Sequence, residues 1–233
     1  MSRARWIVGL IAVAIAATSY TSMPRAARSL AASPSLRPPV RGAIHIHTRR
    51  SDGTGTVDDV ARAASRAGLK FVIITDHGDG TREPDTPAYR NGVLCIDAVE
   101  ISTTNGHVVA IGLPRTPYSL GGEARDVVED VERLGGMTIA AHPSSPKPQL
   151  RWTEWDVPVQ GLEWVNADSE WRDEPLRTIA RSLMTYPFRR PETLAMLLDR
   201  PSESLQRWDT LTMQRRVVAV AGADAHARIP LTS

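Results

Sequence analysis

From Gly42 onward, short apolar runs rich in Val, Ile and Ala alternate with stretches of helical periodicity. This alternation confines the chain to the α/β architectures, because strands that read as near-continuous apolar runs are buried on both faces and need helices to cover them. The runs predict strands at Gly42–His47, Phe71–Thr75, Val93–Ile101, His107–Leu113, Met137–Ala141, Gly161–Val165 and Val217–Ala221. Helices are predicted at Val57–Ala67, Glu123–Leu134, Glu174–Leu183, Pro191–Leu198 and Ser202–Gln214. Thr56 supplies an N-cap to the first of these, with Asp58 and Asp59 in its opening turn and Gly68 just past its end. About seven mostly parallel strands suit a barrel better than a small open sheet, although an open doubly wound sheet is the structural alternative.

The ends of those strands carry the chemistry. His45 and His47 close the first strand as H-I-H, and strand alternation points residues i and i+2 the same way. Asp52 follows in S-D-G, Asp76 and His77 follow the second strand, and Glu100 lies near the end of the third. His142 ends the fifth strand in A-H-P, and Asp224 and His226 follow the last in G-A-D-A-H. His107 alone sits at a strand start, after Asn105–Gly106, which suggests a hairpin between the third and fourth strands. In a parallel α/β barrel the C-terminal strand ends converge on one face, where active sites are built.

A single histidine beside an apolar strand is usually structural. All six histidines of the chain occupy such places here, interleaved with carboxylates, and that pattern points to metal. Imidazole plus carboxylate without a thiolate cluster suits Zn, Mn or Fe, whereas Ca and Mg favour more oxygen ligands. The ligand supply exceeds one tetrahedral ion, so two or three divalent ions are expected, and neighbouring ions acidify water and clamp the oxygens of a transferring group.

The motif order H-x-H, S-D-G, T-D-H, E-I-S, G-H, A-H-P, G-A-D-A-H resembles the polymerase and histidinol phosphatase (PHP) superfamily of metal-dependent hydrolases, in its exported branch, over about Gly42 to Ala227. The resemblance implies a distorted (β/α)7 TIM-like barrel with its metal site at the C-terminal ends of the strands. It implies that His45, His47, Glu100 and Asp224 hold one metal, with Glu100 shared with a second completed by His107 and His142. Asp52, His77 and His226 would hold a third. A hydroxide between the first two ions would be the nucleophile, with Glu100 and Asp224 in the catalytic set and Asp76 orienting a neighbouring histidine, a role for which Asp79 is a weaker candidate.

Glu163 and Asn166, at the end of the sixth strand, divide evenly between polar loop residues and site residues. Arg49, Arg50 and Arg172 could supply phosphate-binding forks, but surface positions explain them as well.

The implied activity is hydrolysis of small phosphate esters or of nucleotide and oligonucleotide phosphates. The alternative is hydrolysis of carboxylic esters, amides or carbamates on the same site, since both reactions need the same nucleophile and Lewis acid. The expected partner is a small phosphate ester or nucleotide. No stable nucleic-acid complex is expected, because Lys70 and Lys147 are the only lysines and no basic stripe with aromatic interleaving occurs.

The formal net charge of +2 matches the contribution of Arg3 and Arg5. These two precede an apolar run from Trp6 to Ala17, so residues 1–22 read as an export signal or an N-terminal anchor, the only route to a membrane. The expected location is therefore periplasmic or extracellular. Residues 23–41, rich in Pro, Ser, Ala and Arg, read as a linker, and 42–233 as the hydrolase domain. Its close seven residues after His226 is compatible with a C-terminal truncation. Cys95, the single cysteine, is predicted to be a buried core thiol.

Overall fold

The computed structural model describes residues 3–24 and 39–227. By internal packing the chain divides into two compact units, one of residues 1–36 with 173–200 and one of residues 37–172 with 201–233. Among the described residues, the first unit contains helices α1 (Arg3–Ser22), α5 (Leu176–Thr185) and α6 (Arg190–Ala195). No helix among the described residues is long and apolar enough to cross a membrane. Most of the linker, and the last six residues, lie outside the described residues.

The second unit holds the whole sheet. Its strands are β1 (Gly42–Ile46), β2 (Phe71–Ile74), β3 (Ala88–Arg90), β4 (Val93–Asp97), β5 (Val99–Thr103), β6 (Gly106–Ile111), β7 (Met137–Ala141), β8 (Gly161–Asn166) and β9 (Val218–Ala225). Helices α2 (Val57–Arg66), α3 (Ala124–Arg133), α4 (Ala167–Arg172) and α7 (Ser202–Thr212) belong to the same unit. The sheet order is β3-β4-β2-β1-β9-β8-β7-β6-β5.

The closed barrel expected from the sequence is therefore corrected to an open nine-stranded mixed sheet. The cause lies in the run Val93–Ile101, which was expected to be one strand. It breaks at Ala98, whose N–H turns to the Ile74 carbonyl at 2.7 Å. The first half, β4, pairs with β2, whereas the second half, β5, pairs with β6. Among the described residues, the edge strand β5 pairs with the segment after β2 only through an isolated bridge between His77 and Glu100. Its bonds run from the Glu100 N–H to the Asp76 carbonyl at 3.2 Å and from the Gly78 N–H to the Glu100 carbonyl at 3.0 Å.

Pairing is parallel except for β3–β4, β5–β6 and β6–β7. The expected hairpin forms between β5 and β6, and it explains the odd position of His107. Because β6 runs against β7, the start of β6 lies beside the end of β7, with His107 opposite Ala141 and one residue from His142. A strand start and several strand ends thus share one face.

Local rules explain the helices that cover the sheet. Thr56 and Asp59 form a reciprocal capping box at the start of α2, with Asp59 N–H donating to Thr56 Oγ1 at 3.2 Å and Thr56 N–H to Asp59 Oδ2 at 2.9 Å. Gly68 (φ +74°) ends the helix in the left-handed region. The apolar stripe of α3, Ala124, Val127, Val128 and Val131, is buried in a cluster with Ile101, Val108, Ala110 and Leu162. Each fully buried valine stabilises by roughly 1.5–3 kcal/mol, so packing rather than propensity holds this helix in place. Cys95 is buried with Ile46, Val72 and Val93, as the sequence predicts.

Candidate metal centre

Glu100, on β5, is the centre around which the other groups are arranged. Its side chain is 1% exposed, and its two oxygens face different imidazoles. Oε1 lies 2.9 Å from His107 Nδ1 and 2.9 Å from His142 Nε2. Oε2 lies 3.2 Å from both His45 Nε2 and His47 Nε2, and 3.4 Å from His77 Nδ1. Asp224 Oδ1 approaches the same two nitrogens, at 3.5 Å from His45 and 3.3 Å from His47.

The backbone is bent to achieve this. His45, His142 and Asp224 have φ of +65°, +30° and +45°, a region that costs a non-glycine residue of order 1–3 kcal/mol and that concentrates at functional sites. At His45 the pairing of β1 with β9 also shifts register, so a bulge aims the ring, not plain alternation alone. The centroids of the His45 and His47 rings end 5.2 Å apart.

Above this buried layer lies a more open one. Asp52 Oδ2 is 3.1 Å from His226 Nε2, and Asp52 Oδ1 is 3.4 Å from His47 Nδ1. The His47 and His226 rings stack with centroids 4.3 Å apart. His77 stands at the edge, its Nε2 4.0 Å from Asp52 Oδ1.

Among the described residues, four sets of ligand atoms lie close enough together to share an ion. They are His45, His47 and Asp224; His45, Glu100 and His142; His47, Asp52 and His226; and His47, His77 and Glu100. The nine residues named from the motifs are thus brought into one cluster, with His107 entering through Glu100. These sets differ in several details from the grouping that the resemblance implied: His107 stands outside all of them, and Glu100 is not in the set of His45, His47 and Asp224. His47 rather than His77 completes the set with Asp52 and His226, and His77 sides with Glu100.

The residues fit divalent cations on independent grounds. His45 Nε2 and His47 Nε2 are buried without a hydrogen-bond partner, a costly state for a polar atom unless something else binds it. Two imidazoles have their other nitrogen committed to a group that only accepts. His142 Nδ1 is 3.0 Å from the Leu150 carbonyl and His226 Nδ1 is 3.0 Å from the Asp224 carbonyl. Both must donate there, which leaves Nε2 as a lone pair for a metal.

Charge points the same way. Burial opposes ionisation of Glu100, yet the charge of His45 and the hydrogen bonds from His107 and His142 hold its carboxyl well below the usual range. Burial likewise works against the imidazolium of His45, but Glu163 and Glu100 raise it well above its ordinary value. His47 rises to about 9 against the same burial, through Asp224 and Glu100. His142 is raised as well, with Glu100 outweighing burial, and Asp224 is held low by His47 and His45 despite its burial. His77 goes the other way, because burial outweighs the pull of Glu100. Protons on the imidazoles neutralise the buried carboxylates here, a task that a divalent cation performs equally well.

Asp76 takes no part in the cluster itself. Its carboxylate accepts from Thr48 N–H and Thr48 Oγ1, both at 2.6 Å, and from Ser51 Oγ at 2.8 Å. It contacts the histidines only through Ser51, whose Oγ is 3.5 Å from His47 Nδ1. Asp79 accepts from Thr81 instead. Glu163 and Asn166, evenly balanced in the sequence, both lie buried beside the ligands. Thr48 and Ser51 carry no sequence signal beyond the polar H-T-R-R-S-D loop and, for Ser51, the S-D-G motif.

The three arginines are engaged elsewhere. Arg172 pairs doubly with Asp168, at 2.7 and 3.0 Å. Arg50 pairs with Asp85 and with Asp97, and Arg49 donates to the Thr54 carbonyl. A cleft of about 100 Å³ opens next to His77, lined by Arg50, Asp76, Gly78, Arg82 and Val99 among others.

No family model matches the chain. Among known proteins, it is 29% identical over 139 residues to an uncharacterized protein of Methanocaldococcus jannaschii, covering 53% of this chain and 80% of the relative. It is 30% identical over 109 residues to a 3',5'-nucleoside bisphosphate phosphatase of Chromobacterium violaceum, covering 42% of this chain and 38% of the relative. Of solved structures, one from Bifidobacterium adolescentis assigned as a metal-dependent phosphoesterase superposes with a TM-score of 0.51 at 16% identity, covering 82% of this chain and 89% of that one. A two-domain Bacteroides vulgatus protein containing a predicted PHP-like metal-dependent phosphoesterase gives a TM-score of 0.50 at 16% identity, covering 80% of this chain and 52% of that one. The chain thus shares its fold with the PHP-like metal-dependent phosphoesterases, the resemblance that its motif order carries.

Proposed function

We propose that this chain is a metal-dependent phosphoesterase acting on small phosphate esters or nucleotide phosphates. The observation that carries this reading is Glu100, a buried carboxylate whose two oxygens each face a different set of imidazoles. The bisphosphate phosphatase among its relatives and the phosphoesterases among its fold neighbours support the substrate class.

In this reading His45, His47 and Asp224 would hold one cation and His142 and His107 a second, with Glu100 contributing to both. Asp52 and His226, with His47 and His77 at their side, would hold a third. Divalent ions at these positions, Mn, Zn or Fe by their donor set, supply Lewis acidity and an acidified water. The protein's own groups supply orientation. Strand ends fix the deep imidazoles, and Asp76 holds the turn from Thr48 to Ser51 that delivers Asp52. Because Arg50 and Arg172 are already paired with carboxylates, phosphate charge is left mainly to the cations. In this reading the cleft beside His77 would receive the leaving group.

The test is a hydrolysis panel run in Mn²⁺ or Zn²⁺ with Asp224→Asn as control. It contains a phosphomonoester, a phosphodiester, a nucleoside bisphosphate, a carboxylic ester and an aryl carbamate. Phosphate release that disappears in the control is expected. Cleavage of the carboxylic ester or carbamate alone would overturn the phosphoesterase reading while keeping the metal site.

A further inference from the structure

Glu163, on β8, is fully buried, and each of its hydrogen bonds has a direction that the surroundings dictate. Its Oε1 lies 2.7 Å from His45 Nδ1. Its Oε2 accepts from the backbone N–H of His142 at 2.7 Å and from Asn166 Nδ2 at 3.0 Å. The orientation of Asn166 is fixed in turn, because its Oδ1 accepts from the Ser169 N–H at 3.0 Å, so only its NH2 can face Glu163. Oε2 is thus met by two donors that cannot change sign, and Oε1 is left for His45 alone.

The space for this carboxylate is cleared by Gly222, on the neighbouring strand β9. A Cβ at that position would fall on Glu163 Oε1, so any larger residue would displace the oxygen that meets His45. Three strands therefore converge on one bond: β8 supplies the acceptor, β9 the gap, and β1 the histidine, which stands at positive φ.

We infer that Glu163 is a positioning residue that keeps a proton on His45 Nδ1, and so keeps His45 Nε2 as the lone pair that meets a cation beside Glu100 and Asp224. The inference rests on the metal-centre reading given above, but not on which ester the chain hydrolyses. Removal of such an outer partner weakens metal affinity about 10- to 100-fold in metal sites generally.

The geometry makes Glu163→Gln a directional test. The amide oxygen must remain opposite the His142 N–H and the Asn166 NH2, which forces the amide NH2 towards His45 Nδ1. That nitrogen must then become an acceptor, and any remaining proton moves to Nε2, aimed at the cation position. Two readouts follow, neither of which needs activity. Competition against a chromogenic chelator should show Mn²⁺ or Zn²⁺ bound about 10- to 100-fold more weakly. Long-range ¹H–¹⁵N spectra should show a proton on His45 Nδ1 in the unsubstituted protein, metal-free and Zn²⁺-loaded alike, and none there in the variant.

Two further variants separate positioning from general loss of structure. Gly222→Ala should weaken metal binding to a similar degree by displacing Oε1, and it answers the question should Glu163→Gln fail to fold. Asn166→Ala keeps the bond to His45 and should change affinity by no more than a few-fold. Unchanged affinity in Glu163→Gln, a retained Nδ1 proton, or an equal loss in Asn166→Ala would overturn the inference. A chain that cleaves carbamates rather than phosphates would leave it standing.

Discussion

The two layers of the metal centre are built by different means. The deep layer, His45, Glu100 and His142, lies on strands or at their ends, is almost wholly buried, and has two ligand residues held at positive φ. The rim, Asp52, His77 and His226, lies on loops, and the Asp52 and His77 side chains are 38% and 35% exposed. Strand ends are fixed by the sheet's ladder and hold ligand atoms within a few tenths of an ångström, whereas a loop must be held by its own hydrogen bonds. The deep positions should therefore bind cations tightly in a preset geometry. The rim should bind more weakly and exchange with solvent.

The strongest way to break this comparison is to remove one imidazole from each layer. His142→Ala should lose a tightly held ion and lower hydrolysis by about a hundredfold or more, since it removes one of the ligands nearest Glu100. His226→Ala should lose only the loosely held ion and lower hydrolysis less. Equal losses of metal in the two variants, measured by mass spectrometry after dialysis, would show that the layers act as one.

A smaller effect comes from pH. Without cations, His45, His47 and His142 bind protons more tightly than free imidazole does. Their contribution to stability is complete below about pH 6.5 and fades as pH rises through the folded value. For His47 that value is about 9. Glu100 and Asp224 are held low, so their contribution is present above about pH 4.5 and fades on further acidification. The metal-free chain should be most stable between these limits. Cations displace the same protons, so the gain in melting temperature on adding Mn²⁺ should widen from about pH 6 to about pH 9. A gap that narrows would mean that the imidazoles are not the ligands.

The smallest effect sharpens the account of the rim. Thr48→Val removes the hydroxyl bond to Asp76 and leaves the backbone one in place. It should cost about 1 kcal/mol in urea unfolding and weaken only the loosely bound ion. A loss of the tightly bound ions instead would tie Asp76 to the deep layer.

The sequence showed the deep layer more clearly than the frame that carries it. Histidines at strand ends are legible because strand periodicity and strand boundaries both point to them. His107 looked anomalous only until the β5–β6 hairpin reversed its strand. The break at Ala98 was not legible, because the apolar residues of Val93–Ile101 continue on both sides of Asp97 and read as one strand, and a single polar residue does not mark where the pairing partner changes. The short strand β3 and helix α4 were missed for a related reason: each is too short to show a period. Glu163 could not be settled from sequence, since a buried carboxylate and a loop carboxylate look alike until their donors are known. Gly222 carried no signal until a side chain was found beside it.

The central claim is that Glu100 is shared between cations, and its most direct test is the metal content of the purified chain beside that of Glu100→Gln. The account predicts about two or three divalent ions per chain, with the tightly held ones lost together in the variant while the circular dichroism of the sheet is kept. An unchanged stoichiometry in Glu100→Gln would contradict it.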